Sequence, residues 1–431
     1  MTSSNQISST TRTEVISMAT PQLKLGKMEN GPEWYGKPLD ELHFEWSREE
    51  ELELERYCEK ILKNAEEEEM TPLQRYEATW QGKDKDRLHI EVKYNVPYAV
   101  RTLDSFADAI KPGDVYKRPK LHVKAHLATA ARFKLDIINV YTICYTEELW
   151  GADGRMIEYG TPQQVGGPPI KTMEDIESVE VADPKKHGLY PGYLWAAKEL
   201  MRIMRKYGAD KVLPVEVSYC GDPLGTVHLG MTGFGPGMVM AKKNPELFKA
   251  CMDKAAEWSI KFGIAVKELN PNGMYLCSYM GAIPPKMGKI DNEWIMDVDA
   301  RVAREVIAAP GHQPYMWHTC GSPGWEPWMP LYLPHGAVGP GSFGGWWLGP
   351  DMPVEECFAY ARENDLYCGC TIDDHAVLDG DFPKIEELLA PRLKEAKRYP
   401  KHFCAIGVID YWTPQPVFEK SMELAKRLGR F

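Results

Sequence analysis

A histidine and a cysteine stand two apart in Tyr315-Met-Trp-His-Thr-Cys-Gly321. The run from Gln313 to Trp317 is apolar and β-prone, and it leads directly into His318, Cys320 and Gly321. A strand that ends this way delivers side chains to the C-terminal mouth of a barrel. Positions two apart on an extended backbone face the same side. His318 and Cys320 therefore offer an imidazole and a thiolate to one point, two of the donors that zinc takes. The competing reading is a half-buried histidine and an inert core cysteine. A zinc centre needs a third protein ligand, and no neighbour in the sequence supplies one.

Carboxylates at strand ends are the other candidates for chemistry. Glu216 lies inside the apolar run Pro214-Val-Glu-Val-Ser-Tyr219. A carboxylate there must be paired or protonated. Asp222 follows the same run in a loop, where it is either an acid or a helix cap. Asp373 and Asp374 end another run, while His375 is expected to face outward. Burial raises such carboxyls toward the range where they act as general acids. Trp317, Trp325, Trp328, Trp346 and Trp347 cluster near strand ends, and such walls suit a planar aromatic ligand. A packed lid is the alternative. Tyr219, Tyr279 and Asn95 are further candidates for holding a substrate oxygen.

Composition narrows the partners. A net charge of −11 argues against nucleic acid. No apolar run approaches the ~20 residues of a membrane span. The N-terminus has no apolar core of a secretory signal, and the scattered cysteines read as reduced thiols, so a cytoplasmic protein is expected.

These residues need a scaffold. Residues 1–45 read as a flexible polar arm, with the aromatic-bearing part laid across a surface, a second subunit of a homodimer being one candidate. Residues 46–70 form an acidic helix, opened by a Ser47/Glu50 capping box, whose charge run is read as a solvated face. Thr71-Pro72 starts another helix. Strand-like runs then appear at 136–143, 212–219, 273–279, 313–318, 366–372 and 403–409. Helical runs at 119–133, 191–207, 245–268, 297–309, 353–364, 383–398 and 415–429 separate them. Such alternation means a parallel sheet covered by helices. Gly-, Pro- and Trp-rich stretches after the strands favour a (β/α)8 barrel over 71–431 rather than an open sheet. No nucleotide-binding glycine motif interrupts it.

Thr71-Pro-Leu-Gln-Arg-Tyr-Glu-Ala-Thr-Trp-Gln-Gly82 with Asp86-Arg87 resembles the opening of the uroporphyrinogen decarboxylase superfamily, where an Asp-Arg pair precedes the first strand. Cys220-Gly-Asp-Pro-Leu-Gly225, Gly369-Cys-Thr-Ile-Asp373 with Leu378-Asp-Gly380, and Gly407 to Thr413-Pro414 resemble its later segments, in order. The carboxylate-gripping arginine loop of the decarboxylase has no counterpart here. The resemblance therefore points to the corrinoid-dependent methyltransferases, among them coenzyme M methyltransferases and methyl ether O-demethylases. In the coenzyme M branch a His-x-Cys-Gly strand end supplies two zinc ligands, and His318 and Cys320 match it. The third, a cysteine after the glycine of the last strand, is replaced by Val408. Cys404 is expected on the same strand face, one layer deeper in the barrel.

The resemblance implies transfer of a methyl group from a small methyl donor, here an aromatic methyl ether, to Co(I) of a corrinoid. Asp373-Asp-His375-Ala-Val-Leu378 begins like a cobalamin-binding loop but lacks its glycine, so the corrinoid is expected on a separate protein. Glu216, Asp222 and Asp373 are the candidate acids. A cofactor-free decarboxylase of a small aromatic or pyrrolic acid is the rival reaction, and a non-catalytic subunit that positions a corrinoid protein is the rival class.

Overall fold

The computed structural model describes residues 21–94, 96–103, 110–141, 146–278, 292–311, 314–319, 343–350 and 353–431. Ser47 opens the first long helix, α1 (Arg48–Glu66). Its Oγ accepts from Glu50 N at 3.2 Å, and the Glu50 carboxylate accepts from Ser47 N at 2.9 Å. The reciprocal cap satisfies two donors that would otherwise be orphaned. Thr71 and Gln74 make the same device at the start of α2 (Pro72–Gln81), with Pro72 in the first turn. Gly82 ends α2 at φ 66°, the left-handed conformation that glycine adopts without strain.

Two further helices, α3 (Pro119–Phe133) and α4 (Tyr190–Tyr207), receive α1. Leu54, Tyr57, Cys58 and Ile61 form its buried stripe. The acidic side is less solvated than its composition suggests. Glu50, Glu53 and Glu51 pair with Lys120, Lys124 and Lys206 at 2.6, 2.7 and 2.9 Å. The described part of the arm makes contacts with its own chain: Gln22 N donates to Ser178 O, Leu39 N to Lys185 O, and the buried Trp34 indole to Lys117 O.

Eight strands make the main sheet: β1 (Ile90–Tyr94), β2 (Ile138–Val140), β3 (Val215–Cys220), β4 (Gly273–Ser278), β5 (Tyr315–Thr319), β6 (Gly345–Leu348), β7 (Tyr367–Thr371) and β8 (His402–Ile409). The hydrogen-bonded order is β1-β8-β7-β6-β5-β4-β3-β2, with every neighbour parallel. Side chains bridge the remaining seam. Ile90 N donates to Asp136 Oδ2, and Asn139 Nδ2 to Val92 O, both at 2.9 Å. The sheet is thus a nearly closed barrel. With α5 (Pro245–Glu268), α6 (Asn292–Ala308), α7 (Val354–Glu363), α8 (Phe382–Ala396) and α9 (Gln415–Leu428), it is a (β/α)8 fold. No described helix is long and apolar enough to cross a membrane.

Two of the eight strands are missing from the apolar runs of the sequence. β1 alternates polar His89, Glu91 and Lys93 with apolar Ile90, Val92 and Tyr94, and all six are buried. Its polar half lies inside the barrel, so hydrophobicity alone does not reveal it. β6 is only Gly-Trp-Trp-Leu and follows a glycine-rich segment.

The motif behind the family resemblance is a structural bracket at the N-terminal end of the barrel. Arg75 Nε and Nη2 bind the Asp86 carboxylate at 2.8 and 2.7 Å. Arg87 binds both oxygens of the fully buried Asp136 at 2.6 and 2.7 Å. Charge-assisted, two-pronged contacts of this kind fix geometry as well as energy.

Candidate active site

The strand alternation sorts side chains into a barrel interior and a layer against the helices. At the bottom, α2 plugs the interior with Tyr76 and Trp80. Tyr76 Oη donates to Glu216 Oε1 at 2.8 Å, and Trp80 stacks on Tyr367 at 3.9 Å. Tyr367 Oη donates to Glu91 Oε1 at 2.9 Å, and His89 Nε2 lies 3.4 Å from the same oxygen. Asn139 Nδ2 reaches Glu91 Oε2 at 3.3 Å. Gly273 is required here: a Cβ would lie 2.1 Å from Tyr76 Oη and 2.8 Å from Glu216 Oε1. Burial, and then the nearby Glu91 carboxylate, push the Glu216 carboxyl well above the usual range, against the lowering effect of the Tyr76 hydrogen bond. The Glu216 carboxyl thus holds its proton to higher pH than an ordinary carboxyl does, and its Oε2 has no hydrogen-bond partner among the described residues.

One layer higher, at the C-terminal strand ends, lies a second group. Lys93 Nζ donates to Cys277 Sγ at 3.2 Å and sits 4.5 Å from the centre of the Tyr141 ring. His318 shares the register of Cys277 on the neighbouring strand. Burial, followed by the Lys93 charge, lowers His318 to about 3, so its imidazole is neutral. Its Nδ1 lies 3.2 Å from Trp347 O. Donation of that N–H to the carbonyl leaves Nε2 as the acceptor, the arrangement that commonly orients a metal-binding histidine. Trp347 stands at 4.8 Å from His318 and 5.4 Å from Tyr275, and its Nε1 donates to Thr371 Oγ1 at 2.7 Å. Phe403 completes the aromatic wall at 6.1 Å. Among the described residues no three His, Cys, Asp or Glu side chains converge as a metal centre.

The residues named from sequence divide accordingly. Glu216, His318 and Trp347 face the interior. Trp317 and Trp346 do not, correcting the expected aromatic wall. Alternation turns them into the helix layer, where Trp317 stacks with Phe343 and Trp346, and Trp346 meets Tyr360 of α7. Tyr219 also points outward, packing on Phe262 of α5 and bonding the Tyr315 hydroxyl. Asp222 caps the short turn Pro223–Gly225 by accepting from Gly225 N at 2.9 Å. Asp373 is exposed and caps the turn Asp374–Asp379, accepting from His375 N at 2.9 Å. Cys404 is not in the barrel either. It packs in the outer layer near Cys370, and a bulge between Ile406 and Val408 breaks the strand parity that the count assumed. Asn95, Tyr279, Cys320, Trp325 and Trp328 lie outside the described residues.

Lys93, Tyr141, Cys277 and Thr371 were not singled out in the sequence. A signal for Lys93 existed. In His89-Ile-Glu-Val-Lys-Tyr94 the charged residues share one strand face, opposite an apolar one. The inward face of a barrel can be polar, so both faces of such a strand can be buried.

The fold is paralleled in known proteins. No curated protein matches the chain in sequence. A methyltransferase from Methanosarcina mazei superimposes with a TM-score of 0.62, covering 83% of this chain and 99% of that one at 18% identity. That likeness shows the fold. The family model described as uroporphyrinogen decarboxylase (URO-D) matches residues 71–406, from the α2 plug through most of the last barrel strand. By that match the chain belongs to the uroporphyrinogen decarboxylase (URO-D) family.

Proposed function

We propose that the chain is a methyltransferase that moves a methyl group from a small methyl ether to Co(I) of a corrinoid carried by a separate protein. The carrying observation is the upper barrel interior. It is walled by Trp347, Tyr275 and Phe403, and Lys93 is its cationic side chain among the described residues. A porphyrinogen with many carboxylates needs several cations, so this aromatic lining suits a small aromatic molecule better. Ether cleavage needs in-line placement of the methyl group, exclusion of water and a proton for the leaving oxygen. Of the carboxylates considered, Glu216 is the one inside the barrel, with a carboxyl that burial raises, and we assign it the role of proton store beneath the reacting group. Asp222 and Asp373 are engaged as caps.

The purified chain alone should not demethylate, and adding a reduced corrinoid protein should start turnover. Conversion of Co(I) to methyl-Co(III), followed by absorbance with methoxylated aromatics, measures this. Failure with every corrinoid, together with carbon dioxide release from a carboxylated substrate, would establish the decarboxylase instead.

Zinc is the second group to consider. His318 fits it as a neutral, oriented donor, and zinc there would act as a Lewis acid on the leaving oxygen. Metal analysis of protein purified without chelators should find at most one zinc per chain, lost on His318→Ala. Absence of zinc with full activity in Cys320→Ser makes the pair structural.

A further inference from the structure

We propose that the Thr371 hydroxyl is the hydrogen-bond donor that receives the oxygen of the methyl donor and meets its growing negative charge. The inference rests on the methyl-transfer reading above. Thr371 is the last residue of β7, on the strand face that Tyr367 and Gly369 share. Tyr367 lies inside the barrel, stacked on Trp80 and Phe403. Thr371 therefore also turns inward, nearer the mouth. Its register partner on β8 is the small Ala405. The Thr371 side chain accepts the Trp347 indole N–H at 2.7 Å. An indole nitrogen only donates, and a hydroxyl carries one proton and two lone pairs. The contact thus uses a lone pair and leaves the Thr371 proton with no acceptor among the described residues. Thr371 is buried, at 5% exposure, and a buried donor without an acceptor is costly. An oxygen brought by the substrate removes that cost.

The surroundings fix this hydroxyl rather than compete for it. Arg392 of α8, itself buried, donates from Nε to Thr371 O at 3.0 Å and from Nη2 to Pro350 O at 2.9 Å. One guanidinium thereby ties the end of β7 to the segment after β6. Accepting the indole proton polarises the hydroxyl and makes it a better donor. The Trp347 ring that supplies this proton belongs to the aromatic wall with Tyr275 and Phe403. A flat apolar body against that wall brings a substituent oxygen to the indole edge, where the hydroxyl stands. In the transfer the C–O bond breaks and its electron pair stays on oxygen, while the methyl carbon takes the cobalt pair. The Thr371 hydroxyl stabilises the charge that collects on oxygen and keeps its own proton. The proton that completes the leaving group comes from the Glu216 store assigned above. A donor aimed at developing charge contributes more in the transition state than in the ground state.

Two probes of nearly one shape test the contact: anisole offers an acceptor oxygen where ethylbenzene has a methylene. In titration calorimetry, Thr371→Val should weaken anisole binding by roughly 3–10-fold, the contribution of one neutral hydrogen bond, and leave ethylbenzene unchanged. In single turnover with cob(I)alamin, methyl transfer from anisole should fall further, by roughly 10²–10³-fold, the range for losing one donor to an oxyanion. Thr371→Ser keeps the hydroxyl and should retain most of both. Equal weakening of the two probes would mean that Thr371 only supports Trp347, and overturns the proposal. Unchanged anisole binding in Thr371→Val, a rate loss no larger than the affinity loss, or a wild-type chain that does not bind anisole overturns it as well. Thr371→Val also strips the indole of its acceptor, so the comparison is repeated in Trp347→Phe, which has no indole. Thr371→Val should still lower anisole affinity and rate there, and no added loss overturns the proposal. Should Thr371→Val not fold, Thr371→Ala carries the same expectations. If anisole affinity falls as stated but the wild-type chain transfers no methyl group, the oxygen contact stands and the methyl-transfer reading falls alone.

Discussion

Asp136→Asn is expected to destabilise the fold by roughly 3–5 kcal/mol, the range for removing one partner of a buried ion pair. Asp136 is fully buried and takes two contacts from Arg87, a third from Arg75 at 3.4 Å, and the backbone N–H of Ile90. Lys426 lies 3.4 Å away. Burial pushes this carboxyl up, but Arg87, Lys426 and Arg75 together outweigh it and hold the group well below the usual carboxylate range. The amide would leave Arg87 buried with Glu68 as its remaining ionic partner among the described residues. It would also loosen the seam where β1 and β2 are joined by side chains rather than by a ladder. A group with a depressed folded pKa stabilises above its unfolded value, and that contribution is lost as pH falls through the folded one. The gap between wild type and variant should therefore be full at neutral pH and shrink in acid. Urea unfolding followed by circular dichroism at several pH values measures it. A neutral-pH gap under about 1 kcal/mol, the scale of an exposed pair, would show that the bracket is not a main support.

Glu216→Gln should lower multiple-turnover methyl transfer by roughly 10²–10⁴-fold while preserving substrate binding, if Glu216 stores the proton that each cycle consumes. Glutamine keeps the shape and can still accept from Tyr76, so the plug should survive. The pH dependence supplies the second readout. Burial and Glu91 raise the Glu216 carboxyl, so its proton is kept to higher pH than an ordinary carboxyl's and is lost as pH rises through the elevated value. Wild-type turnover should fall on that alkaline limb, and the variant should lack the limb. Unchanged turnover and an unchanged profile in Glu216→Gln would make the acid a structural part of the Tyr76 plug.

Much of the frame was legible because helices and outward-facing strand positions follow simple periodicity. Ser47 with Glu50, and Thr71 with Gln74, are local caps whose partners lie three residues away, so sequence spacing nearly specifies them. The long helices α3, α4, α5 and α9 have boundaries close to their amphipathic runs. The site was less legible. Trp317, Trp346 and Trp347 are adjacent in type and place, yet only Trp347 faces the interior, because a strand sends successive side chains to opposite sides. In a barrel both sides are buried, so hydrophobicity does not say which is which. Asp222 and Asp373 stand at strand ends as a catalytic acid would, but the turn that follows each one takes its carboxylate as a cap.

The sequence by itself determined the alternation of strands and helices, the capped helix starts, the family to which the chain belongs, and a buried acid at Glu216 in want of a partner. These depend on neighbours within a few residues or on an ordered series of motifs. The tertiary structure decided what surrounds that acid and what lies above it. Tyr76 meets Glu216 across 140 positions, and Lys93 meets Cys277 across 184. Barrel closure brings those strands together, and their register sets which inward side chains share a layer. No local pattern encodes that choice, because it depends on how eight strands stagger around one axis.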